Sequence, residues 1–339
     1  MIDTHSHFDA PDFDTDRPEL LQEARAAGVT DGLLCAGFAT GFITARDTAH
    51  LIGWHYALGI HPLFLPPDNA AVTADVHLLR TTLTLVRDDP RLAAVGEIGL
   101  DGFVKTLDWE RQVFLFSEQL KVARDFDLPV SVHARHAVDA VYSHLKRLNV
   151  TRGVIHAFNG SEVQAERFLK LGFKLGFGGA LLYSGSLRIR RIFASLGSED
   201  YVLETDAPDM PAPFRRETAD PRTHPADIRR YAQEAALLRN TTPDVIAEES
   251  RRNALAAFPR FTFQPKWASH RPAGPKAVVC DNSLKRPLSP WSYDFRIVAA
   301  DAVLTFRRNP YGLHPHPRRR HRPRSTRHRR LRLFRHDAP

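Results

Sequence analysis

The chain has 339 residues, 43% hydrophobic and 25% charged, ordinary proportions for a soluble globular protein of one large domain or two of middling size. No apolar run approaches the roughly 20 residues of a membrane span, and the opening residues lack the basic-then-apolar order of a signal peptide. The two cysteines, Cys35 and Cys280, lie far apart, so no disulfide framework or zinc finger is expected and a reducing cytoplasm is the default. The net charge of +8 is unevenly placed: residues from Pro265 onward hold 18 Lys and Arg against 4 acidic residues, whereas residues 1–264 hold 29 against 35. A mildly acidic body carries a strongly basic tail.

Ile2 to His7 reads as a strand, and Pro18 to Ala27 as a helix stopped by Gly28. Thr30 to Ala36 and Trp54 to Ile60 are further apolar runs, the second ending in Gly59-Ile60-His61-Pro62. Asp75 to Val86 is expected to be helical and Leu92 to Glu97 a strand. Trp109 to Phe126 forms a long helix with Trp109, Val113, Phe116, Leu120 and Ala123 on one face. Pro129 to Ala134 and Gly153 to Ala157 read as strands, followed by helices over Ala137 to Leu148 and Ser161 to Leu171. Phe173, Leu175 and Phe177 alternate along a strand, Ile189 to Leu196 carries a helical stripe, and Tyr201 to Thr205 is the last strand. Two closing helices follow, one marked by Ile228, Tyr231, Ala232, Ala235 and Leu238, the other by Thr242 as N-cap before Pro243. About eight β-then-α units imply a parallel sheet, and their combined length suits a closed (β/α)8 barrel better than an open doubly wound sheet. No glycine-rich phosphate loop follows the first strand, which argues against a nucleotide-binding α/β fold.

In such a barrel the active site lies at the carboxyl ends of the strands. His5 and His7 end the first strand and, being two apart, can face one ion together. His61 follows the third, Glu97 ends the fourth, and His133, His156 and Asp206 end the fifth, sixth and eighth. Taken singly, each is most simply a loop histidine or a helix cap. Their common phase in the βα repeat points to a shared metal site and a metal-dependent hydrolase. Imidazole with carboxylate suits zinc, manganese or iron. Glu97 is the natural bridge between two ions, with His5, His7 and Asp206 on one and His133 and His156 on the other. Asp206 is also suited to accept the proton of an attacking water. Arg135 offers a bidentate guanidinium to a substrate phosphate, or serves a structural ion pair.

The motifs Ile2-Asp3-Thr4-His5-Ser6-His7-Phe8-Asp9, Gly59-Ile60-His61-Pro62, Ala94-Val95-Gly96-Glu97-Ile98-Gly99-Leu100-Asp101, Val132-His133-Ala134-Arg135, Ile155-His156-Ala157-Phe158-Asn159-Gly160-Ser161 and Leu203-Glu204-Thr205-Asp206-Ala207-Pro208-Asp209-Met210 together resemble the TatD family of metal-dependent hydrolases. The resemblance runs in the family's order from residue 1 to about Phe258. It implies a TIM-barrel of the amidohydrolase superfamily, one or two divalent ions (Mg, Mn or Zn), and deoxyribonuclease activity on DNA, often at the 3′ end of a single strand. It also implies that His5, His7, Glu97, His133, His156 and Asp206 are the metal ligands, with Glu97 and Asp206 catalytic, and that His61, Asp101, Arg135 and Asp209 either support the ligands from behind or contact substrate. His136, Asn159 and Thr223-His224-Pro225 depart from the family's commoner residues, which bears on substrate preference rather than on the ligands.

Residues 1–264 are thus expected to form the hydrolase barrel and residues 265–339 a basic, disordered extension. Arg, His and Pro dominate Arg318 to Arg335, and the stretch lacks the apolar content to fold alone. It could bind nucleic-acid phosphates by counterion release, but its composition favours an extension unrelated to the body. The acidic body keeps a second function open, an amidohydrolase-type cleavage of a small ester, amide or phosphate monoester. A barrel without metal, used only for binding, is disfavoured because every expected ligand is present.

Overall fold

A computed structural model describes residues 1–262 and two later strands, β9 (Phe295–Ala299) and β10 (Ala302–Phe306), which pair antiparallel. Contacts divide the chain into two compact units, Met1–Arg271 and Pro272–Pro339. The Arg318 to Arg335 stretch, and with it the reading of a basic arm, lies outside the described residues.

The first unit is a TIM barrel. Its eight strands are β1 (Ile2–Ser6), β2 (Asp31–Cys35), β3 (His55–Leu58), β4 (Leu92–Asp101), β5 (Val130–Arg135), β6 (Gly153–Ile155), β7 (Phe173–Phe177) and β8 (Tyr201–Leu203), hydrogen-bonded in that sequential order and all parallel. The intervening helices are α1 (Arg17–Ala26), α2 (Phe42–Ile52), α3 (Asn69–Leu85), α4 (Trp109–Asp125), α5 (Val138–Arg147), α6 (Glu162–Leu171) and α7 (Leu187–Ser195). A short α8 (Pro213–Arg216) precedes the closing helices α9 (Ile228–Arg239) and α10 (Pro243–Ala257). Among the described residues, no helix is long and apolar enough to cross a membrane.

The alternation of strand side chains sorts the core into two layers. Leu34, Tyr56, Leu58, Val95, Val132 and Ile155 pack outward against the helices. Ile2, Leu33, Ala57, Ala93, Val154 and Val202 form a separate inner cluster, closed by Ala254, Ala257 and Phe258 at the end of α10. Local signals set the helix ends. The Thr242 hydroxyl accepts from the Val245 N–H with Pro243 in the first turn, and Ser161 with Gln164 makes a capping box on α6. Gly172 ends α6 in the left-handed region at φ 102°.

Three expectations change. The sequence reading passes over α2, which starts at Gly41 without a side-chain cap. Strand β4 does not stop at Glu97: it pairs with β5 as far as Asp101, because Gly99, Leu100 and Asp101 continue the ladder opposite His133, Ala134 and Arg135. On α4, Trp109 is exposed, while Gln112 and Gln119 are buried in its stead. Gln119 brackets Ile60, accepting from its N–H at 2.7 Å and donating to its carbonyl at 3.0 Å. Gln112 does the same for Asp101, at 2.8 and 3.1 Å. These amides satisfy backbone groups where β3 and β4 run out of ladder partners.

The barrel closes between β1 and β8 at the end that carries the functional residues. Asp206 N–H donates to the His5 carbonyl at 2.9 Å and His7 N–H to the Ala207 carbonyl at 2.7 Å. Beneath them, buried Asp3 accepts from the Thr205 N–H at 2.9 Å and from its hydroxyl. Burial pushes the Asp3 carboxyl up to about 7.

Candidate active site

The sequence-predicted residues meet at the carboxyl ends of the strands. Register slips help turn two of them inward. The β1–β2 pairing shifts between Asp3 and Ser6, the step that carries His5, and β4–β5 shifts between Val95 and Ile98, the step that carries Glu97. The Glu97 carboxylate is buried at the centre. Its Oε2 lies 3.2 Å from His5 Nε2 and 3.4 Å from His7 Nε2, and its Oε1 3.2 Å from His133 Nδ1 and 3.4 Å from His61 Nε2. Asp206 is the second hub. Oδ1 stands 3.6 and 3.5 Å from Nε2 of His5 and His7, and Oδ2 stands 3.5 Å from His156 Nε2.

The grouping differs from the sequence reading in one respect. His156 does not sit with His133: it stacks on His5, ring centroids 3.6 Å apart, and shares Asp206 with it. His61 lies beside His133 instead, with centroids 4.4 Å apart. Three overlapping sets result, each with ligand atoms within 4.8 Å of one another: His5, His7 and Glu97; His5, His156 and Asp206; and His61, Glu97 and His133.

The partner of the outer ring nitrogen separates ligands from donors, since a ligating imidazole offers one nitrogen's lone pair while the other nitrogen donates. His7 Nδ1 donates to the Cys35 carbonyl at 2.8 Å, and His133 Nε2 donates to Asp101 Oδ2 at 3.1 Å. His5 Nδ1 is 2.9 Å from the Ser131 hydroxyl, and His156 Nδ1 is 3.0 Å from Glu204 Oε1. Each of these four rings can turn a bare nitrogen to the centre. His61 is the opposite case. Its Nδ1 accepts from the Leu63 N–H at 3.1 Å, so in its neutral form Nε2 carries the proton toward Glu97.

The electrostatics favour a cation. Burial works against ionising Glu97, yet His61, His5 and His133 hold it well below the usual carboxylate range; His156 does the same for Asp206. Burial lowers His5 and His61, so both rings are neutral near pH 7. Burial opposes protonation of His7, His133 and His156, yet Glu97 and Asp206 raise His7 to about 10, Asp101 raises His133 and Glu204 raises His156, so an ion held here would take the place of a proton on these rings. His5 Nε2 is buried without a hydrogen bond, its carboxylate neighbours too poorly aligned to supply one. Such a nitrogen between two ionised carboxylates is what a divalent ion would satisfy, and the donor set of nitrogen and oxygen suits zinc or manganese.

The remaining expected residues are placed as follows. Asp101 is buried, and although burial pushes its carboxyl up, His133 and the N–H groups of Val104 and Phe103 outweigh it and hold it below the usual range. Arg135 is exposed and lies 3.7 Å over the Phe103 ring. Asp209 is exposed, and its N–H closes a tight turn onto the Asp206 carbonyl at 2.7 Å.

Sequence reasoning misses Glu204, Asp3 and Ser131, which hold the ligands from behind. Glu204 is buried and accepts from the Ala157 N–H at 2.6 Å while facing His156. It lies over Gly176, where an added Cβ would come 2.3 Å from Glu204 Oε2. Glu204 stands two residues before Asp206, and that spacing was the available signal.

A family model described as TatD related DNase matches residues 2–259. An uncharacterized metal-dependent hydrolase of Escherichia coli K12, YjjV, is 43% identical over 213 residues, 62% of this chain and 80% of the relative. A crystal structure of the E. coli TatD homolog YjjV superposes with a TM-score of 0.71 at 38% identity, covering 76% of this chain and 98% of that one. A 3′-5′ ssDNA/RNA exonuclease TatD of Rahnella is 28% identical over 265 residues, 76% of this chain and 98% of its own. The chain belongs to the TatD-related DNase family, and with it to the metal-dependent hydrolases that act on ester bonds.

Proposed function

We propose that this hydrolase is a deoxyribonuclease that cleaves phosphodiester bonds at the end of a single DNA strand. The observation that carries the reading is the convergence of four imidazoles on two ionised carboxylates in one mouth, three with the outer nitrogen hydrogen-bonded and the fourth, His156, with its outer nitrogen 3.0 Å from Glu204. The Rahnella relative, named for exonuclease action on ssDNA and RNA, supports the substrate class.

His5, His7, His156 and Asp206 would hold one divalent ion and His133 another, with Glu97 shared between them; Mg, Mn and Zn are the candidates. An ion held there supplies Lewis-acid stabilisation of the phosphate and lowers the pKa of a water. Asp206, kept ionised by His156, takes the proton of the attacking water on one oxygen. His61 directs its Nε2 proton to the mouth, where it serves a phosphate oxygen as a donor. Arg135, seated over the Phe103 ring, supplies positive charge for the strand's backbone. Cys35 is a free, buried thiol, which fits action in the reducing cytoplasm.

The excess of 35 acidic over 29 basic residues in residues 1–264 favours one alternative, a small ester or phosphate monoester, because such a body does not attract a polyanion. A single assay separates the two. Chelator-stripped full-length chain is given Mg²⁺, Mn²⁺ or Zn²⁺ with 3′-labelled single-stranded DNA, beside Asp206→Asn. Metal-restored shortening of the strand, absent in Asp206→Asn, is expected. Metal uptake with turnover of small phosphate esters alone would replace the nuclease reading.

A further inference from the structure

Three exposed aromatic rings stand beyond the ends of three neighbouring strands, and a guanidinium ends a fourth. Phe38 follows β2, Phe64 follows β3, Phe103 follows β4, and Arg135 is the last residue of β5. The sequential strand order makes these four ends consecutive around the mouth. The side chains meet in pairs: the Phe38 and Phe64 rings are 5.2 Å apart, and the Arg135 guanidinium covers Phe103 at 3.7 Å. Phe64 lies 6.3 Å from the His61 ring, whose Nε2 is 3.4 Å from Glu97, so the arc starts at the edge of the centre.

These rings are built in place and yet left open. Phe38, Phe64 and Phe103 remain 39%, 41% and 49% exposed. Phe64 rests on Gly37, where an added Cβ would come 3.0 Å from the ring, and His61 N–H ties the two loops by donating to the Gly37 carbonyl at 2.8 Å. The Phe103 loop is pinned by Asp101, whose Oδ1 accepts from the Phe103 and Val104 N–H groups at 2.8 and 3.0 Å while Oδ2 orients His133. The contacts that set the centre therefore also set the rings.

We propose that Phe38, Phe64 and the Arg135–Phe103 pair form a track on which successive bases of a single strand stack, with Phe64 taking the base nearest the centre. The proposal rests on the nuclease reading above and names how that substrate is gripped. An acidic body attracts phosphates weakly, whereas stacking on an aromatic face needs no charge and is open to every base. A duplex keeps its base faces covered, so the track selects unpaired bases.

The test uses full-length protein and fluorescence anisotropy with single-stranded oligonucleotides carrying one abasic residue, moved stepwise from the 3′ end. In the wild type, removing one particular base is expected to weaken binding about tenfold. In Phe64→Ala that penalty disappears, and in Phe64→Trp it returns, which also shows that loss of the ring and not of the fold is responsible. Equal affinity of the wild type for intact and abasic strands, or a penalty unchanged in both Phe64→Ala and Phe38→Ala, overturns the track. If the wild type still shortens labelled strands in that case, the nuclease reading stands without it. If the wild type neither binds nor shortens any strand, both fall.

Discussion

His61 and His133 present ring nitrogens to the same oxygen, Glu97 Oε1, at 3.4 and 3.2 Å, but with opposite tautomers. In the neutral rings, the His133 outer nitrogen donates to Asp101 and leaves Nδ1 bare, whereas the His61 outer nitrogen accepts from Leu63 and leaves Nε2 protonated. On this geometry only His133 can offer a lone pair to an ion. Accordingly, His133→Gln should lose bound metal on dialysis, while His61→Gln should keep the wild-type metal content and lose turnover. Metal analysis of both variants checks it; loss of metal from His61→Gln would refute the tautomer argument.

Glu204 is placed to act through His156, its Oε1 3.0 Å from the ring's Nδ1. A carboxylate behind a ligating imidazole typically contributes 10- to 100-fold in metal affinity, and a loss of about that size is expected for Glu204→Gln. Gly176→Ala should lower affinity in the same direction without touching a ligand, because the added methyl would meet Glu204 Oε2. Titration with Mn²⁺ measures both. Wild-type affinity in Gly176→Ala would mean that Glu204 can move aside freely.

Gln119 tests the polar seam between α4 and β3. Truncating it to Ala leaves the Ile60 N–H and carbonyl buried without a partner, at about 1–3 kcal/mol for each group. Chemical denaturation should therefore show a clear loss of stability. A loss of under about 0.5 kcal/mol would show that water replaces the amide.

The acid limb of stability should depend on Asp89. Burial pushes its carboxyl up, but hydrogen bonds from His50, the Arg91 N–H and Tyr56 outweigh it and hold the folded value below 3.8. A depressed folded value makes the contribution present above about pH 4 and lost as pH falls through the folded value. Asp89→Asn should melt lower than wild type at pH 6, with the gap narrowing below pH 4. A gap that widens toward acid would reverse the sign.

Much of the site was legible because six of the eight strands end in a residue with chemistry of its own. His5, His7, Glu97, His133, His156 and Asp206 fall at one phase of the βα repeat, and the structure brings them to one mouth. What was not legible is side-chain direction. Nothing in the order of residues says that His156 stacks on His5 rather than standing beside His133, since that depends on Glu204 and on backbone at Ala157 and Asp206 held at φ 44° and 61°. The buried glutamines of α4 were hidden for a related reason: amides look like surface until the backbone ends they satisfy are known. Phe38, Phe64 and Phe103 are isolated residues in separate loops, and only closure of the barrel sets them in a row.

Glu97 is the proposed link between the two sides of the metal centre, for among the described residues it alone faces both the His5–His7 pair and His133. The most direct measurement is calorimetric titration of chelator-stripped wild type and Glu97→Ala with Mn²⁺ and Zn²⁺. Saturable binding by the wild type, and its loss in a Glu97→Ala protein that still melts cooperatively, is the predicted result. Binding of equal affinity and stoichiometry in Glu97→Ala would contradict the account.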